Sequence, residues 1–393
     1  MKDRETIRKE VLDMPNENLL LMLPTGTGKT SIALDVAFTR VPIYPKILIV
    51  VPKNSIKSSW EDEIERCGYE EDMDNITMTT YASVHKYIEQ DWDFIMWDEA
   101  HHITDRVVNI IECSSNKACN ILLSATIKRD ILYRLKACFP ELGIYRISMQ
   151  SVIDSEVLPE PRIILLPLKL DNTIISEYII RNPAIKSKIV KLSWFGRKKV
   201  IGKKDAQYQI ECTQAQYYQD LDMQVEWYKK KSTNPIMKNL WLHKAGERLK
   251  WLAYKKTPYV QELLKILKNQ RVLTFCADIN QTEKLGSNAI HSKKKSSDIT
   301  LKAFNEGKIK HITSVAMLDE GVNLTSCRVG IFANINSSER IVVQRIGRIL
   351  RHKDPIIIIP YFINTREEEI VNNMLEGYNS DLIEIMGIKD FKL

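Results

Sequence analysis

The chain of 393 residues has no apolar run that approaches the ~20 residues of a membrane-spanning helix; stretches such as Ile47–Val51 and Ile356–Ile359 fall far short of it. Met1–Glu10 is charged and lacks the apolar centre of a secretory leader. Cysteine is sparse: the seven are scattered, odd in number and never spaced C-x-x-C. That excludes a disulfide-stapled scaffold, offers no zinc or iron–sulfur ligand set, and leads us to expect reduced thiols in a cytoplasmic compartment. With 14 glycines and 14 prolines the chain is not collagen-like. No long internal repeat is visible. What is present, 44% hydrophobic and 27% charged residues, is the composition of a globular protein of about two to three domains.

The net charge of +7 conceals a division along the chain. Residues 1–150 hold 18 basic and 23 acidic side chains, whereas residues 181–260 hold 18 basic and 6 acidic. A basic middle segment points to a polyanionic partner, or else to a solvated lysine-rich surface.

Hydropathy divides the chain in the same places. Leu19–Leu23, Ile47–Val51, Ile76–Tyr81, Phe94–Trp97 and Ile121–Leu123 read as strands, most of them followed by a helical period. Continuous Leu/Ile/Val runs of this length suit strands buried on both faces, hence a doubly wound parallel α/β sheet over residues 1–150. A second series, Val272–Cys276, Ile312–Met317, Val329–Ala333 and Ile356–Phe362, predicts a similar lobe over 256–393. Residues 151–255 read as a bridging insertion. There Arg162–Leu170 alternates like a strand, and Lys198–Val200 and Tyr208–Cys212 are placed to pair as a hairpin. Thr213-Gln-Ala-Gln216 reads as a capping box opening a helix to about Lys231, and a second helix is expected over about Met237–Tyr254.

Leu23-Pro24-Thr25-Gly26-Thr27-Gly28-Lys29-Thr30 lies between a strand and an amphipathic stretch. Two glycines let backbone amides turn toward phosphate oxygens, and the following helix adds its positive end. Lys29 would reach the β- and γ-phosphates and Thr30 would bind Mg²⁺; the alternative is a glycine-rich turn. Leu23 stands where the strict phosphate-loop pattern has glycine. Asp98-Glu99-Ala100-His101 closes the strand Phe94–Trp97, at the edge where open parallel sheets bind ligands. Asp98 would hold Mg²⁺ and Glu99 would orient or deprotonate the attacking water.

Ser124-Ala125-Thr126 and Gln344-Arg345-Ile346-Gly347-Arg348-Ile349-Leu350-Arg351 complete a set that resembles the superfamily 2 helicases and translocases. The likeness covers roughly residues 20–352, with motifs in family order, and is of the DEAH-box, remodeller, phage-recombination and restriction type. Leu23 in place of glycine is usual in that family. The resemblance implies two RecA-like lobes with ATP and Mg²⁺ in the cleft between them. It assigns Pro24, Thr25, Gly26, Thr27, Gly28, Lys29 and Thr30 to the nucleotide. Arg348 and Arg351 would be arginine fingers, with Gln344 beside them, and Gly321 and Asn323 would touch nucleotide and strand. Taken alone, Arg-x-x-Arg is a basic helix face. Ser124, Thr126 and His101 would couple hydrolysis to strand binding, the plainer readings being a hydroxyl-rich turn and a structural histidine. One feature departs from the pattern: no glutamine precedes Gln90, so adenine preference is inherited from the resemblance, with Arg4 and Glu5 as the only early polar candidates.

Pro52, Lys53 and Ser55 resemble the motif that holds the nucleic-acid backbone, with Trp60-Glu61 after it, and Thr80 and Tyr81 resemble the next strand contact. In the basic segment, Lys198 and Lys199 follow Trp194 and Phe195, which either stack on bases or anchor the hairpin. Little base specificity is expected from phosphate contacts. The expected protein is an ATP-dependent nucleic-acid motor, DNA being favoured by the resemblance over RNA. A duplex translocase that does not separate strands, and a nucleotide-gated binding scaffold, are the alternatives.

Overall fold

The structure is a computed structural model. It describes residues 3–41, 43–171, 174–181, 199–204, 207–286, 288–291, 293–294, 296–315, 327–335, 345–350, 352–376 and 378–392, with backbone alone for 174–181, 199–204 and 207–211.

Six strands form the first sheet: β1 (Leu19–Met22), β2 (Ile47–Val51), β3 (Ile76–Thr80), β4 (Phe94–Trp97), β5 (Cys119–Ser124) and β6 (Gly143–Arg146). They are all parallel, in the order β3-β2-β4-β5-β1-β6. Helices α1 (Arg4–Leu12), α2 (Lys29–Arg40), α3 (Lys57–Arg66), α4 (Asp105–Cys113) and α5 (Arg129–Cys138) cover it. The period-2 alternation of strands explains why every residue of β1, β2 and β4 is buried. Leu19, Leu21, Ile47, Ile49, Phe94 and Met96 face one helix layer with Trp60. Leu20, Met22, Leu48, Val50, Ile95 and Trp97 face the other. This is the expected doubly wound lobe, with β6 added at an edge.

The second lobe holds β7 (Arg162–Leu168), β11 (Val272–Phe275), β12 (Ala289–Ile290), β13 (His311–Ser314), β14 (Val329–Phe332), β15 (Ile356–Phe362) and β16 (Ile383–Ile385). These too are parallel, in the order β12-β13-β11-β14-β15-β7-β16. Arg162–Leu168, expected in the bridging region, is therefore a strand of the second sheet. Its residues 163–166 are buried on both faces, which only a covered sheet supplies. A short helix α6 (Met149–Asp154) joins the lobes, and Ile147 and Val157 pack against the cores of both.

Between β7 and β11 lie three antiparallel strands, β8 (Ile174–Arg181), β9 (Lys199–Lys204) and β10 (Gln207–Thr213), with β10 central. The expected hairpin is β9–β10, paired from Gln207↔Lys204 to Glu211↔Lys199. The capping box forms: Thr213 Oγ1 accepts from the Gln216 amide at 3.2 Å, and Gln216 Oε1 accepts from the Thr213 amide at 3.0 Å. It opens α7 (Gln214–Lys230), which packs on α8 (Pro235–Ile266). Helix α8 runs through the expected boundary at 255/256 despite Pro258, because Leu252 and Ala253 before it and Val260 and Leu263 beyond it are all buried. Helices α9 (Ile279–Leu285), α10 (Ser297–Asn305) and α11 (Arg366–Leu375) complete the lobe.

One buried ion pair ties α8 to this lobe. Lys256 Nζ lies 2.6 Å from Glu367 Oε1, and both side chains are 0% exposed. Glu367 Oε2 also accepts from the Phe362 amide at 3.1 Å. Burial lowers the proton affinity of the lysine and raises that of the glutamate, and each charge offsets that cost for the other. We predict that Lys256→Ala costs about 3–5 kcal/mol of unfolding free energy by stranding the carboxylate. The paired change Lys256→Met with Glu367→Leu should recover most of it, as read by urea unfolding. A double variant that loses as much as Lys256→Ala would show that the stranded carboxylate is not the source of the loss.

Candidate functional site

The glycine-rich loop after β1 is built on left-handed backbone: Gly26 has φ +93° and Gly28 φ +88°, values that L side chains rarely adopt. Gly28 caps α2, and no side chain accepts from the first amides of that helix, nor does its first turn hold an acidic residue. The buried Thr27 hydroxyl donates to the Pro24 carbonyl at 2.8 Å and fixes the turn. Lys29 Nζ is buried with no hydrogen-bond partner among the described residues, and so is Thr25 Oγ1. Amides, a helix N-terminus and a buried ammonium thus share one short loop, which suits an anion. Thr30 follows in the first turn, half-buried. Arg4 Nη2 donates to the Gly26 carbonyl at 3.2 Å, so α1 closes over this loop; Glu5 instead reaches Arg8 at 3.4 Å.

Asp98 and Glu99 follow β4, two strands from β1, with β5 between them. Asp98 Oδ2 accepts from the Trp60 indole N–H at 2.9 Å, and its backbone carbonyl accepts from the Tyr81 hydroxyl at 2.8 Å. Burial pushes the Asp98 carboxyl up to about 6; the neighbouring Glu99 charge adds to this, and the Trp60 bond and the Lys29 charge oppose it. Glu99 sits at φ +48°, a strained backbone for a residue with a side chain. His101 Nδ1 lies 3.2 Å from Glu99 Oε2 and 3.2 Å from Ser124 Oγ. Ser124 Oγ donates to the Thr126 carbonyl at 2.5 Å, so its lone pair faces the imidazole. The network therefore assigns the proton of that nitrogen to His101 as donor. The structure brings Glu99, His101, Ser124 and Thr126 into one chain.

The second lobe meets the glycine-rich loop directly. A Cβ on Gly347 would stand 2.7 Å from Thr25 Cβ and 3.2 Å from the Thr25 carbonyl, and one on Gly26 would stand 3.3 Å from Leu158 Cδ2. Arg348, the next residue, is buried, and Arg345 donates to the Asn334 carbonyl at 3.1 Å while lying over the Phe275 ring. Pro52 is half-buried and Lys53 and Ser55 are exposed in the segment after β2; Thr80 and Tyr81 are half-buried at the end of β3, the strand paired with β2. Gln344, Arg351, Gly321, Asn323, Trp194 and Lys198 lie outside the described residues, and Lys199 is described by its backbone as the first residue of β9. Sequence reasoning placed Trp60 with the strand motif and missed its bond to Asp98.

Two family models match the chain in the order of its lobes: "Type III restriction enzyme, res subunit" over residues 4–129 and "Helicase conserved C-terminal domain" over residues 255–353. With two parallel-sheet lobes meeting at the glycine-rich loop, the chain is a superfamily 2 helicase by family, and these domains imply an ATPase. The curated DNA 3'-5' translocase XPB2 of Sulfurisphaera tokodaii is 23% identical over 362 residues, covering 85% of this chain and 75% of that protein. The structure of S. cerevisiae Dbp5 bound to RNA and ADP BeF3 matches with a TM-score of 0.62 at 12% identity, over 99% of this chain and 90% of that one. The type ISP restriction-modification enzyme LlaBIII bound to DNA matches with a TM-score of 0.58 at 12% identity, over 98% of this chain and 31% of its own. These structural likenesses speak to the RecA-like fold. No helix among the described residues is long and apolar enough to cross a membrane.

Two predictions come from this geometry. The Gly347 approach leaves no room for a side chain, so Gly347→Ala should hold the lobes apart at the loop. We expect ATP turnover to fall about 10²-fold, with affinity for a fluorescent nucleotide weakened as well; unaltered turnover would show that this contact does not matter to hydrolysis. The second concerns Asp98. Its carboxyl ionises at 3.8 when unperturbed and near 6 when folded. Between those values the folded state keeps the extra proton, so stability falls as pH rises from 4 to 6. Asp98→Asn should therefore be more stable than the wild type at pH 7, by up to about 3 kcal/mol, with the gap closing toward pH 4. Urea unfolding without nucleotide or magnesium reads this, and a gap independent of pH would refute it.

Proposed function

We propose that this chain is an ATP-driven motor on nucleic acid, with DNA as its track, of the DEAH-box type that Asp98-Glu99-Ala100-His101 spells. The observation that carries the reading is the buried Lys29 ammonium without a partner among the described residues, in a loop that the second lobe touches through Gly347. A buried cation of this kind needs an anion, and a triphosphate at the meeting of two lobes supplies one. Lys29 and the amides of 25–28 would hold the β- and γ-phosphates, with Pro24 shaping the turn. Thr30 and Asp98 offer the hard oxygen donors that suit Mg²⁺. When bound, that ion neutralises charge building on the γ-phosphate.

Glu99 would accept a proton from the attacking water, and His101 would report its state to Ser124 and Thr126 through the two 3.2 Å contacts. Arg348, with Arg351, would complete the site from the second lobe, so hydrolysis would require the lobes to close. We take residues 1–150 as the ATP-binding lobe and 256–393 as the body of the second, with β7 returned to it. The strand would lie across Pro52, Lys53, Ser55, Thr80 and Tyr81, with the basic segment around Trp194, Lys198 and Lys199 as a further grip. The preference for DNA draws on the XPB2 relative, named a DNA translocase, and on the DNA-bound LlaBIII.

The test is steady-state ATP hydrolysis without nucleic acid, with single-stranded DNA, with duplex DNA and with single-stranded RNA, at low and high salt. DNA should stimulate most, and binding should weaken with log[salt] at a slope of about −0.7 per phosphate contacted on a single strand. Glu99→Gln should bind ATP and fail to turn it over. Stimulation by RNA alone would make it an RNA motor. Equal turnover in every condition would remove the nucleic-acid track, and turnover surviving in Glu99→Gln would overturn the assignment of the base.

A further inference from the structure

The site reading leaves one buried polar bond unused. Trp60 is 2% exposed and its indole N–H ends on Asp98 Oδ2 at 2.9 Å. Trp60 lies in the first turn of α3, which continues from the short 3₁₀ turn Asn54–Ile56. Ile56, Trp60 and Ile64 fall four residues apart on one buried face of that unit. The opposite end of the unit carries exposed Lys53, Asn54 and Ser55. A force on those residues thus acts on a well-packed piece whose polar contacts inward include the bond to Asp98 and one from Lys57 Nζ to the Met78 carbonyl of β3 at 2.8 Å. The Tyr81 hydroxyl adds a second bond, to the Asp98 carbonyl at 2.8 Å, from the end of β3. Asp98 is therefore gripped twice, and both grips come from the segments that the proposed function sets against the strand.

We propose that Trp60, with Tyr81, is a positioning residue that transmits strand engagement to the carboxylate meant for Mg²⁺. This rests on the reading of Asp98 and Lys29 given above. A carboxylate accepts at two oxygens, so one indole bond fixes its plane and leaves acceptor capacity for a metal or its water. Partners that orient a metal-binding carboxylate typically set metal affinity by 10–100-fold. The device makes Mg²⁺ retention depend on where α3 sits, and the nucleic acid would move α3.

The experiment measures Mg²⁺-dependent binding of a fluorescent, non-hydrolysable ATP analogue, with and without single-stranded DNA, alongside ATP turnover. Trp60→Phe keeps an aromatic ring and removes the N–H. The Mg²⁺ concentration for half-maximal binding should rise about tenfold, and DNA, which should lower it in the wild type, should no longer do so. Trp92→Phe deletes another indole bond in the same lobe, to the Tyr87 carbonyl at 2.8 Å, and controls for lost stability. Tyr81→Phe removes one hydroxyl, should shift Mg²⁺ dependence in the same direction by less, and decides the matter if Trp60→Phe does not fold. An unchanged Mg²⁺ requirement in Trp60→Phe and Tyr81→Phe, or a shift matched by Trp92→Phe, would overturn the proposal. If instead wild-type binding ignores Mg²⁺ and Lys29→Ala binds the analogue normally, the nucleotide reading itself has failed.

Discussion

In a parallel sheet every strand ends on the same edge, and the order of the strands then decides which loops face one another. Here β5 stands between β1 and β4. The glycine-rich loop and the acidic pair are therefore held about 9–10 Å apart, two strand spacings. That gap suits a phosphate chain and its counter-ion, and it is set by backbone hydrogen bonds that no single side chain can relax. The strand that fills the gap ends in Ser124, so the hydroxyl that meets His101 is placed by the same order. Sheet topology, rather than any local motif, brings Lys29, Glu99 and Ser124 to one edge.

The electrostatics follow from that crowding. Asp98 and Glu99 are neighbours at a poorly hydrated edge, and burial lifts the proton affinity of Asp98 while Lys29 and Trp60 restrain the rise. The ammonium and the carboxylates sit on opposite sides of β5, so neither neutralises the other by direct contact. A site that holds separated charges of both signs invites a ligand that carries both, an anion with a bound cation. The strain at Glu99, with φ +48°, has the same origin: the chain must turn within two residues of the strand end to direct the following helical turn toward Ser124.

The two lobes were legible because runs such as Leu19–Met22 and Ile356–Ile359 are apolar at every position, which only strands covered on both faces tolerate. Strand β6 was not, because Gly143-Ile-Tyr-Arg146 is an edge strand with mixed burial and no continuous run. Strand β7 was seen as a strand but set in the wrong unit, since its partners β15 and β16 lie far along the chain. The helix expected to end near Tyr254 continues, because packing against the second lobe outweighs the one backbone bond that Pro258 removes. At the site, the loop and the acidic pair were readable from local chemistry alone. The bond from Trp60 to Asp98 spans 38 residues and joins two motifs that the sequence presents as separate. No periodicity records such a contact, and only the pairing of β2 with β4 creates it.

The contact between the lobes carries a thermodynamic consequence. Gly26 and Gly28 have no side chains to brace the glycine-rich loop, so beyond the Thr27 and Arg4 bonds its shape depends on what packs against it. Leu158 and the backbone of Gly347 both do so, and both belong to the second lobe. Anything that orders this loop, a bound triphosphate above all, therefore makes a surface that fits the second lobe better. Linkage requires the converse: whatever favours the approach of Gly347 to Thr25 raises affinity for that ligand by the same factor. The approach leaves no space for a single added methyl group, so the contact is close-packed, and a contact of that kind would let ligand binding at one edge be felt across both lobes.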